Sequence, residues 1–259
     1  MKAKVLSLEK QPISEIELPK IFETEFRPDV IKRAVLAAQS ARIQPWGPDE
    51  MAGKRTSAET WGKGFGVARV RRVKGTRHPA AGRGAFAPFT VGGRRAHPPR
   101  VEKKLVEEIN RKERRLAIRS AIAATKDKKL VKMRGHVWDG EMDFPIVVSD
   151  EIEKITKTSE LREVLKKLGV WKDVERAAEK KVRAGRGKMR GRKYRKKVGP
   201  LLVARDARNL RKSAGGLPGV DVCPVHLLNA EKLAPGGVAG RLTIWSKGAI
   251  EKLSEGMFS

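Results

Sequence analysis

The amino-acid sequence predicts an α/β fold with one long internal segment that has no periodic structure. The second half of the chain alternates short apolar runs with amphipathic stretches, which is typical of a parallel sheet covered by helices. From Trp46 to Pro99 neither a strand-like nor a helix-like period persists, whereas helical patterns precede and follow this gap. Hydrophobic residues make up 39% of the 259 residues, which is enough for a packed core.

On either side of the gap, the first half of the chain predicts one strand and two helices. "KAKVLSL" alternates as a short strand, which is expected to end near Pro12. The first helix covers "RPDVIKRAVLAAQSARIQP", where Pro28 occupies the first turn and Pro45 ends the pattern. After the gap, "RVEKKLVEEINRKERRLAIRSAIAAT" predicts a long helix over residues 100–125. Its apolar face is expected to consist of Leu105, Ile109, Leu116, Ile118, Ile122 and Ala123.

The second half supplies the remaining strands and helices of the predicted sheet. Strands are expected at "FPIVVSD", "GPLLVARD", "GVDVCPV" and "GRLTIWS", because each is a short apolar run bounded by Gly, Pro or Asp. Helices are expected at "TSELREVLKKLG", "WKDVERAAEKKVRAG", "HLLNAEKL" and "SKGAIEKLSEGMF".

Positive charge is concentrated in two segments. The formal net charge of +28 and the pI near 10.6 indicate a polyanionic partner, nucleic acid before acidic membrane. Ten basic and no acidic residues lie between Thr60 and Arg100, and eleven of the eighteen residues from Lys180 to Lys197 are basic, again without an acid. These two segments supply 21 of the 28 excess charges. Because solvated surfaces normally mix both signs, the exclusion of acids favours nucleic-acid binding over a merely solvated face.

Catalytic and metal-binding patterns are missing from the sequence. "GPDEMAGKRT" misses the phosphate-binding loop pattern, because five residues separate its glycines and Arg55 follows the lysine. Cys223 and His226 of "CPVH" resemble a nucleophile pair only superficially, since a lone cysteine in an apolar run is usually buried. The acids of "WDGEMD" are expected to surround a turn at Gly140. We therefore expect no catalytic residue, no metal, no cofactor and no small-molecule substrate.

Targeting and membrane signals are also missing. No apolar run approaches the roughly 18 residues of a membrane span. The start, "MKAKVLSLEKQP", is too short and too charged for a signal peptide, and a single cysteine rules out an internal disulfide. We expect a soluble, cytoplasmic protein without a membrane partner.

The gap, residues 46–100, has the composition of an RNA-binding segment, and it is called the arm below. Glycine permits close backbone approach, and arginine donates forked hydrogen bonds to phosphates. Aromatic side chains that can stack on bases occur along it. They are Trp46, Trp61, Phe65, Phe86 and Phe89. Since the arm cannot bury enough apolar surface alone, we expect it to become ordered on RNA.

Five stretches follow one another along the chain in a distinctive order. They are "TWGKGFGVARV", "GRGAFAPFTVGGRRAHPP", "AGRGKMRGRKYRKKVGPLLV", "LPGVDVCPVHLLNAEKLAPGG" and "RLTIWSKGAIEKL". Together they resemble the universal L-four family of large-subunit ribosomal proteins in its archaeal and eukaryotic form. The resemblance implies a three-layer α/β/α core with a four-stranded, mostly parallel sheet and a long extended internal loop. It also implies that this loop threads through large-subunit rRNA, and that its tip helps form the wall of the polypeptide exit tunnel.

The resemblance also implies an organisation and a set of site residues. Residues 1–45 and 101–259 would form the globular α/β domain, residues 46–100 the inserted rRNA-binding arm, and residues 180–197 a second rRNA-contacting segment. The tip is expected around Gly62–Arg77. Residues expected near the tunnel and the nascent polypeptide are Lys63, Arg69, Arg71 and Arg72. The full set of expected rRNA-binding residues is Trp46, Lys54, Arg55, Trp61, Lys63, Arg69, Arg71, Arg72, Lys74, Arg77, Arg83, Arg94, Arg95, Arg100, Arg183, Arg186, Lys188, Arg190, Arg192, Lys193, Arg195, Lys196 and Lys197.

The function implied is that of a structural constituent of the large ribosomal subunit, with a role in its assembly. Its expected partners are large-subunit rRNA, neighbouring large-subunit proteins and the nascent chain. Two alternatives stay open: an RNA-binding regulator outside the ribosome, and an RNA-modifying enzyme with a Rossmann-like core.

Overall fold

A six-stranded sheet forms the centre of the larger of two units in the computed structural model, which describes residues 1–258. The strands of this sheet are β1 (Lys2–Leu6), β2 (Pro12–Glu17), β3 (Ile146–Val148), β6 (Leu201–Ala204), β7 (Asp221–Pro224) and β8 (Thr243–Ser246). Strands β4 (Lys180–Val182) and β5 (Tyr194–Lys196) form a separate pair. The helices are α1 (Pro28–Ser40), α2 (Arg111–Ala124), α3 (Lys128–Met133), α4 (Thr158–Lys167), α5 (Trp171–Ala178), α6 (Arg208–Ala214), α7 (Ala230–Leu233) and α8 (Lys247–Ser254). The larger unit contains residues 1–40 and the chain from Glu107 onward, and the smaller unit is Ala41–Val106.

The sheet is largely parallel, as the alternating pattern predicts. Its strand order is β2-β1-β3-β8-β6-β7, and the five strands from β1 to β7 in this order run parallel to their neighbours. Strand β1 lies within the predicted alternating strand "KAKVLSL", and β3, β6, β7 and β8 each lie within one of the four predicted apolar runs. The α/β class is therefore confirmed.

The expected number of four strands was wrong, because the sheet has six. Strand β2 pairs antiparallel with β1 and occupies the edge. The chain reverses at Ser7, whose N–H donates to the Gln11 carbonyl oxygen at 2.7 Å. Strand β2 then begins at Pro12, where the sequence predicts that the first strand ends, because proline is tolerated at the first residue of an edge strand. Five of the six β2 residues are exposed, so the sequence carries no alternating signal for this strand.

Apolar side chains of the strands alternate between two clusters. Val147 and Val203 belong to one cluster, which also contains residues of α1, α2 and α8. Ile146 and Leu202 belong to the other, which contains residues of α4, α5 and α6. Since successive strand residues point to opposite faces, helices cover the sheet on both sides. This double coverage explains why the strands appear in the sequence as continuous apolar runs.

Helix α2 begins at Arg111, so the helix predicted over residues 100–125 was wrong in its first part. Asn110 precedes it in an extended conformation with ψ of 143°. Eight of the residues 101–110 are exposed, and Leu105 and Ile109 are only partly buried. This stretch has helix-forming residues but no face to pack, and packing supplies most helical stability in proteins.

Helix α5 ends at Ala178, so the helix predicted to continue through "KKVRAG" was wrong there. The chain continues as β4, which pairs with β5. The helix predicted at "HLLNAEKL" is a 3₁₀ turn at Val225–Leu227 followed by the short α7. Helices α3 and α6, of six and seven residues, are too short to give a periodic signal, and the sequence did not predict them.

Ser40, the last residue of α1, joins the two points at which the chain leaves and re-enters the larger unit. Its hydroxyl donates to the Ala37 carbonyl oxygen at 2.8 Å and accepts from the Glu107 N–H at 2.9 Å. The side chain is buried. The smaller unit is thus an insertion whose ends are connected through one serine.

Candidate nucleic-acid interface

The smaller unit, called the arm unit below, has almost no interior of its own. Ala58 is the only buried residue among residues 41–106. Large aromatic side chains are left in solvent, with exposed fractions of 60% for Trp46, 63% for Phe65 and 79% for Phe89. These rings are therefore available for contact with a partner and are not packed inside the unit.

Three short segments of the arm unit are hydrogen-bonded to one another. Glu59 and Arg72 exchange both backbone hydrogen bonds, at 3.1 and 2.9 Å. Arg72 also forms an antiparallel bridge with Gly84. The Gly82 N–H donates to the Val73 carbonyl oxygen at 3.0 Å. These bonds hold the chain around residue 72 between two flanking segments.

The two legs of the arm unit run side by side. Gly53 has φ of +73°, and a Cβ atom there would lie 2.5 Å from the Arg94 backbone nitrogen. Gly47 is similarly close to the other leg, since a Cβ atom would lie 3.0 Å from the Pro99 carbonyl oxygen. Glycine is required at Gly53 on both grounds, because no side chain fits and the left-handed conformation strains other residues.

Several of the predicted RNA-binding side chains contact each other within the arm unit. The Arg71 and Arg94 guanidinium carbons lie 4.4 and 5.7 Å from the centre of the Phe86 ring. The Arg72 guanidinium carbon lies 5.6 Å from the Trp61 ring, which also meets Phe65 edge-on with 6.1 Å between ring centres. Such cation–π contacts orient the arginines. They also occupy faces of aromatic rings that the sequence predicts to stack on RNA bases.

The remaining basic side chains of the arm unit face solvent. Arg55 pairs with Asp49 and Lys74 with Glu59, each at 2.6 Å. Within the described chain no carboxylate pairs with the other exposed members of the predicted set. They are Lys54, Lys63, Arg69, Arg71, Arg77, Arg83, Arg95 and Arg100. Together they form a cationic surface with few internal counter-charges.

Residues 180–197 form a second cationic element, called the basic hairpin below. Strands β4 and β5 pair antiparallel and place Lys180 opposite Lys196 and Lys181 opposite Arg195. Like charges directly across a sheet are destabilising. The turn is supported by Arg183, whose Nε donates to the Arg192 carbonyl oxygen at 3.0 Å.

The other predicted residues of the basic hairpin lie around this frame. Lys193 sits 5.4 Å from the Tyr194 ring, and Lys197 pairs with Glu179 at the base of the hairpin. Among residues 1–258, the hairpin side chains that remain exposed without such a contact are Arg186, Lys188, Arg190, Arg192, Arg195 and Lys196.

A buried polar cluster supports the base of the basic hairpin. Asp173 is fully buried and bonds to the His136 ring nitrogen Nδ1 at 2.9 Å and to Arg176 Nε at 2.9 Å. Arg176 in turn donates to the Val198 carbonyl oxygen at 2.8 Å, one residue after the hairpin. Burial lowers the pKa of His136 despite its bond to Asp173, so the imidazole is neutral and donates from Nδ1. Burial opposes ionisation of Asp173, but the hydrogen bonds from His136 and Arg176 lower its pKa overall.

The residues considered as catalytic candidates have structural roles instead. Cys223 is buried in β7, and burial raises the pKa of its thiol, as expected of a core cysteine. Gly140 of "WDGEMD" has φ of +69°, and the neighbouring Asp139 N–H donates to the Gly169 carbonyl oxygen at 2.8 Å. Over residues 1–258 no cluster of His, Cys, Asp and Glu is arranged to hold a metal ion. Across the same residues, every helix is too short or too polar to span a bilayer.

Comparison with known proteins identifies the family. A model of the "Ribosomal protein L4/L1 family" matches residues 16–256. The chain belongs to the ribosomal protein L4/L1 family. The L-four resemblance predicted from five short stretches is therefore confirmed, and the match extends over nearly the whole chain.

Individual L4/L1 family members are similar over nearly their full length. The large ribosomal subunit protein uL4 of Methanosphaera stadtmanae is 54% identical over 255 residues, which cover 98% of this chain and 96% of the relative. The protein of the same name from Archaeoglobus fulgidus is 54% identical, with 98% and 99% of the two chains covered. That of Methanopyrus kandleri is 50% identical, with 98% of each chain covered. These relatives agree with the predicted archaeal and eukaryotic form of the family.

Several residues that support this candidate interface were not identified from the sequence. His136 is about forty positions from its partners Asp173 and Arg176 in the chain, and no local motif links it to them. The internal contacts of Arg72 were missed because composition counts every arginine as free charge. Lys180 and Lys181 lie within the predicted segment 180–197 but not among the individually predicted site residues, and they belong to β4 of the basic hairpin.

Proposed function

We propose that this L4/L1 family member is a structural constituent of the large ribosomal subunit and binds large-subunit rRNA through the arm unit and the basic hairpin. The observation that carries the proposal is the arm unit: a 66-residue insertion, residues 41–106, with a single buried residue. From Thr60 to Arg100 it contains no acid, and it exposes aromatic rings along its length. A segment with this composition gains its packing surface from a polyanion with stackable bases. The printed names of the relatives, large ribosomal subunit protein uL4, support the assignment.

The arm divides into a tip and two legs in this proposal. The legs, with Arg83, Arg94, Arg95 and Arg100, neutralise phosphates and hold the arm in rRNA. The tip at Gly62–Arg77 helps form the wall of the polypeptide exit tunnel, where the exposed Lys63 and Arg69 are near the nascent chain. Because the legs run side by side, a single RNA channel accommodates both of them.

The basic hairpin is a second rRNA contact. Its like-charged cross-strand pairs repel each other in the free protein and are stabilised when phosphates lie along the strands. The buried Arg176 cluster fixes the base of the hairpin, so that RNA bound there is held at a defined place on the larger unit.

The larger unit is a scaffold without catalysis of its own. In the expected three-layer α/β/α arrangement, the sheet and the two helical layers support the arm, residues 46–100, and the basic hairpin, residues 180–197. Neighbouring large-subunit proteins pack on its remaining surface, and binding helps the cytoplasmic subunit to assemble.

Sedimentation of a lysate tests whether the protein belongs to the ribosome. At about 0.5 M salt, where weak phosphate contacts are lost, we expect the protein to remain with the large ribosomal particle. A regulator that acts outside the ribosome, or an RNA-modifying enzyme, would be recovered near the top of the gradient. The control is a ribosomal protein of the small subunit, which must not follow the large particle after the subunits are separated. Recovery of this chain only in the light fractions would contradict the proposal.

A further inference from the structure

Arg72 lies at the middle of a junction between three segments of the arm unit. Its backbone N–H donates to Glu59 and its carbonyl oxygen accepts from the same residue. On its other side it bridges to Gly84. Glu59, Trp61, Arg72, Gly82 and Gly84 are called the Arg72 junction below.

The side chain of Arg72 closes the same junction. Its Nη1 donates to the Gly82 carbonyl oxygen at 2.9 Å, and the guanidinium lies over Trp61. Its Nε is buried and has no hydrogen-bond partner within the described chain. One side chain therefore connects the segment before it, at Trp61, with the segment after it, at Gly82.

These contacts leave Arg72 poorly placed to bind a phosphate. Arginine binds phosphate most strongly through two parallel N–H groups on one edge of the guanidinium. One such edge of Arg72 includes the buried Nε, and the other includes Nη1, which already donates to Gly82. Arg69, three residues earlier, is exposed and has neither restriction.

Resting on the proposed rRNA binding, we propose that Arg72 is a positioning residue: it holds the Arg72 junction together and does not neutralise a phosphate. This differs from the role that the family resemblance implies for it, beside Lys63, Arg69 and Arg71. The exposed arginines of the tip then bind RNA from a frame that Arg72 fixes. Lysine cannot replace Arg72, because an ammonium lacks both the planar face over Trp61 and the forked donors.

The salt dependence of rRNA affinity separates a positioning residue from a phosphate contact. The full-length protein and its variants would be titrated against a large-subunit rRNA transcript from about 0.1 to 0.4 M KCl. Each phosphate contact contributes about 0.7–0.9 to the slope of log affinity against log salt. We expect Arg69→Ala to reduce this slope by about that amount, and Arg69→Lys to keep it.

For Arg72 the expected pattern is different. Arg72→Ala and Arg72→Lys should both weaken binding by about tenfold at every salt concentration, with the slope unchanged. Backbone amides of Val73 and Gly82 in the RNA complex should exchange faster in both variants than in the parent protein. The thermal unfolding midpoint of the larger unit should not change, because its buried clusters contain no residue of the arm unit.

Two results would overturn this role for Arg72. One is a reduced slope for Arg72→Ala with full recovery in Arg72→Lys, which would make Arg72 a phosphate contact. The other is unchanged affinity in both variants. Failure of the proposed function is recognised separately by adding a deletion variant that lacks Thr60–Arg100 to the same assay. If the proposed function is wrong, this variant binds rRNA as tightly as the full chain.

Discussion

Arginine side chains of this protein occupy three different environments. Arg241 is fully buried in the larger unit, where it donates to the Gly199 and Lys232 carbonyl oxygens and to Asp221 at 2.7–3.0 Å. Arg72 is half-buried within the arm unit and bonds to its own chain. Arg69 and its exposed neighbours face solvent. Net charge counts all of them alike, but only the third group is free to bind a polyanion.

We expect His136 to make the stability of the larger unit depend on pH. Its pKa is lowered by burial in the folded state, so the unfolded chain takes up its proton first as the pH falls. The contribution of His136 to the free energy of unfolding should therefore be fully present above the ordinary histidine pKa of 6.5. It should decrease as the pH falls below that value. A further decrease should follow in more acidic solution, as Asp173, whose pKa is also lowered, becomes protonated.

Urea unfolding of the full chain at about pH 7.5 and about pH 5 measures this dependence. His136→Asn places an amide near the position of Nδ1 and removes the titrating group. The midpoint of the parent should fall between the two pH values by more than that of the variant. An equal fall in both would show that His136 does not cause the loss.

At the scale of elements, the basic hairpin is a strand pair in which residues of like charge lie directly opposite each other. Lys181 faces Arg195 across β4 and β5, and both side chains are exposed. The strands are held by a few backbone bonds and by contacts at the two ends, including Arg183 at the turn. Its stability in the free protein is therefore expected to be low and to rise when RNA binds.

Reversing one of these charges should separate hairpin stability from RNA binding. Lys181→Glu creates an opposite-charge pair with Arg195, which is worth about 0.2–1 kcal/mol across a sheet. The amides of β4 and β5 should exchange more slowly in the free variant, whereas its rRNA affinity should fall. Lys181→Gln, which removes the charge without adding a pair, should lose affinity less. Tighter rRNA binding by Lys181→Glu than by the parent would contradict the role of the hairpin.

The sequence predicted those elements whose signal is local and missed those that depend on distant contacts. Strands β3, β6 and β8 were found because burial along their whole length makes each of them a continuous apolar run, whereas β1 was found from its alternation. Strand β2 was missed because it is exposed at the edge of the sheet, and the start of α2 was misplaced because residues 101–110 have helical propensity without packing. In the candidate site, charge and aromatic content singled out the arm and residues 180–197 as rRNA-binding segments, and this assignment stays a prediction. They did not reveal that Arg71, Arg72 and Arg94 contact aromatic rings of their own chain.

At the scale of the whole molecule, the two units of the chain differ in what stabilises them. The larger unit contains two apolar clusters on a parallel sheet and folds through its own contacts. The arm unit contains one buried residue and a surplus of positive charge. Folding information for the first is therefore within the chain, whereas the surface that completes the second is expected to be RNA.

The most direct test of this account is the rRNA affinity of a variant without Thr60–Arg100, measured beside its unfolding transition. No residue in the deleted range is buried, so the variant should unfold cooperatively with a midpoint close to that of the full chain. Its affinity for large-subunit rRNA at about 0.15 M salt should fall at least a hundredfold, about 2.7 kcal/mol, with a much smaller salt slope. A folded variant that binds rRNA as tightly as the full chain would contradict the central role of the arm.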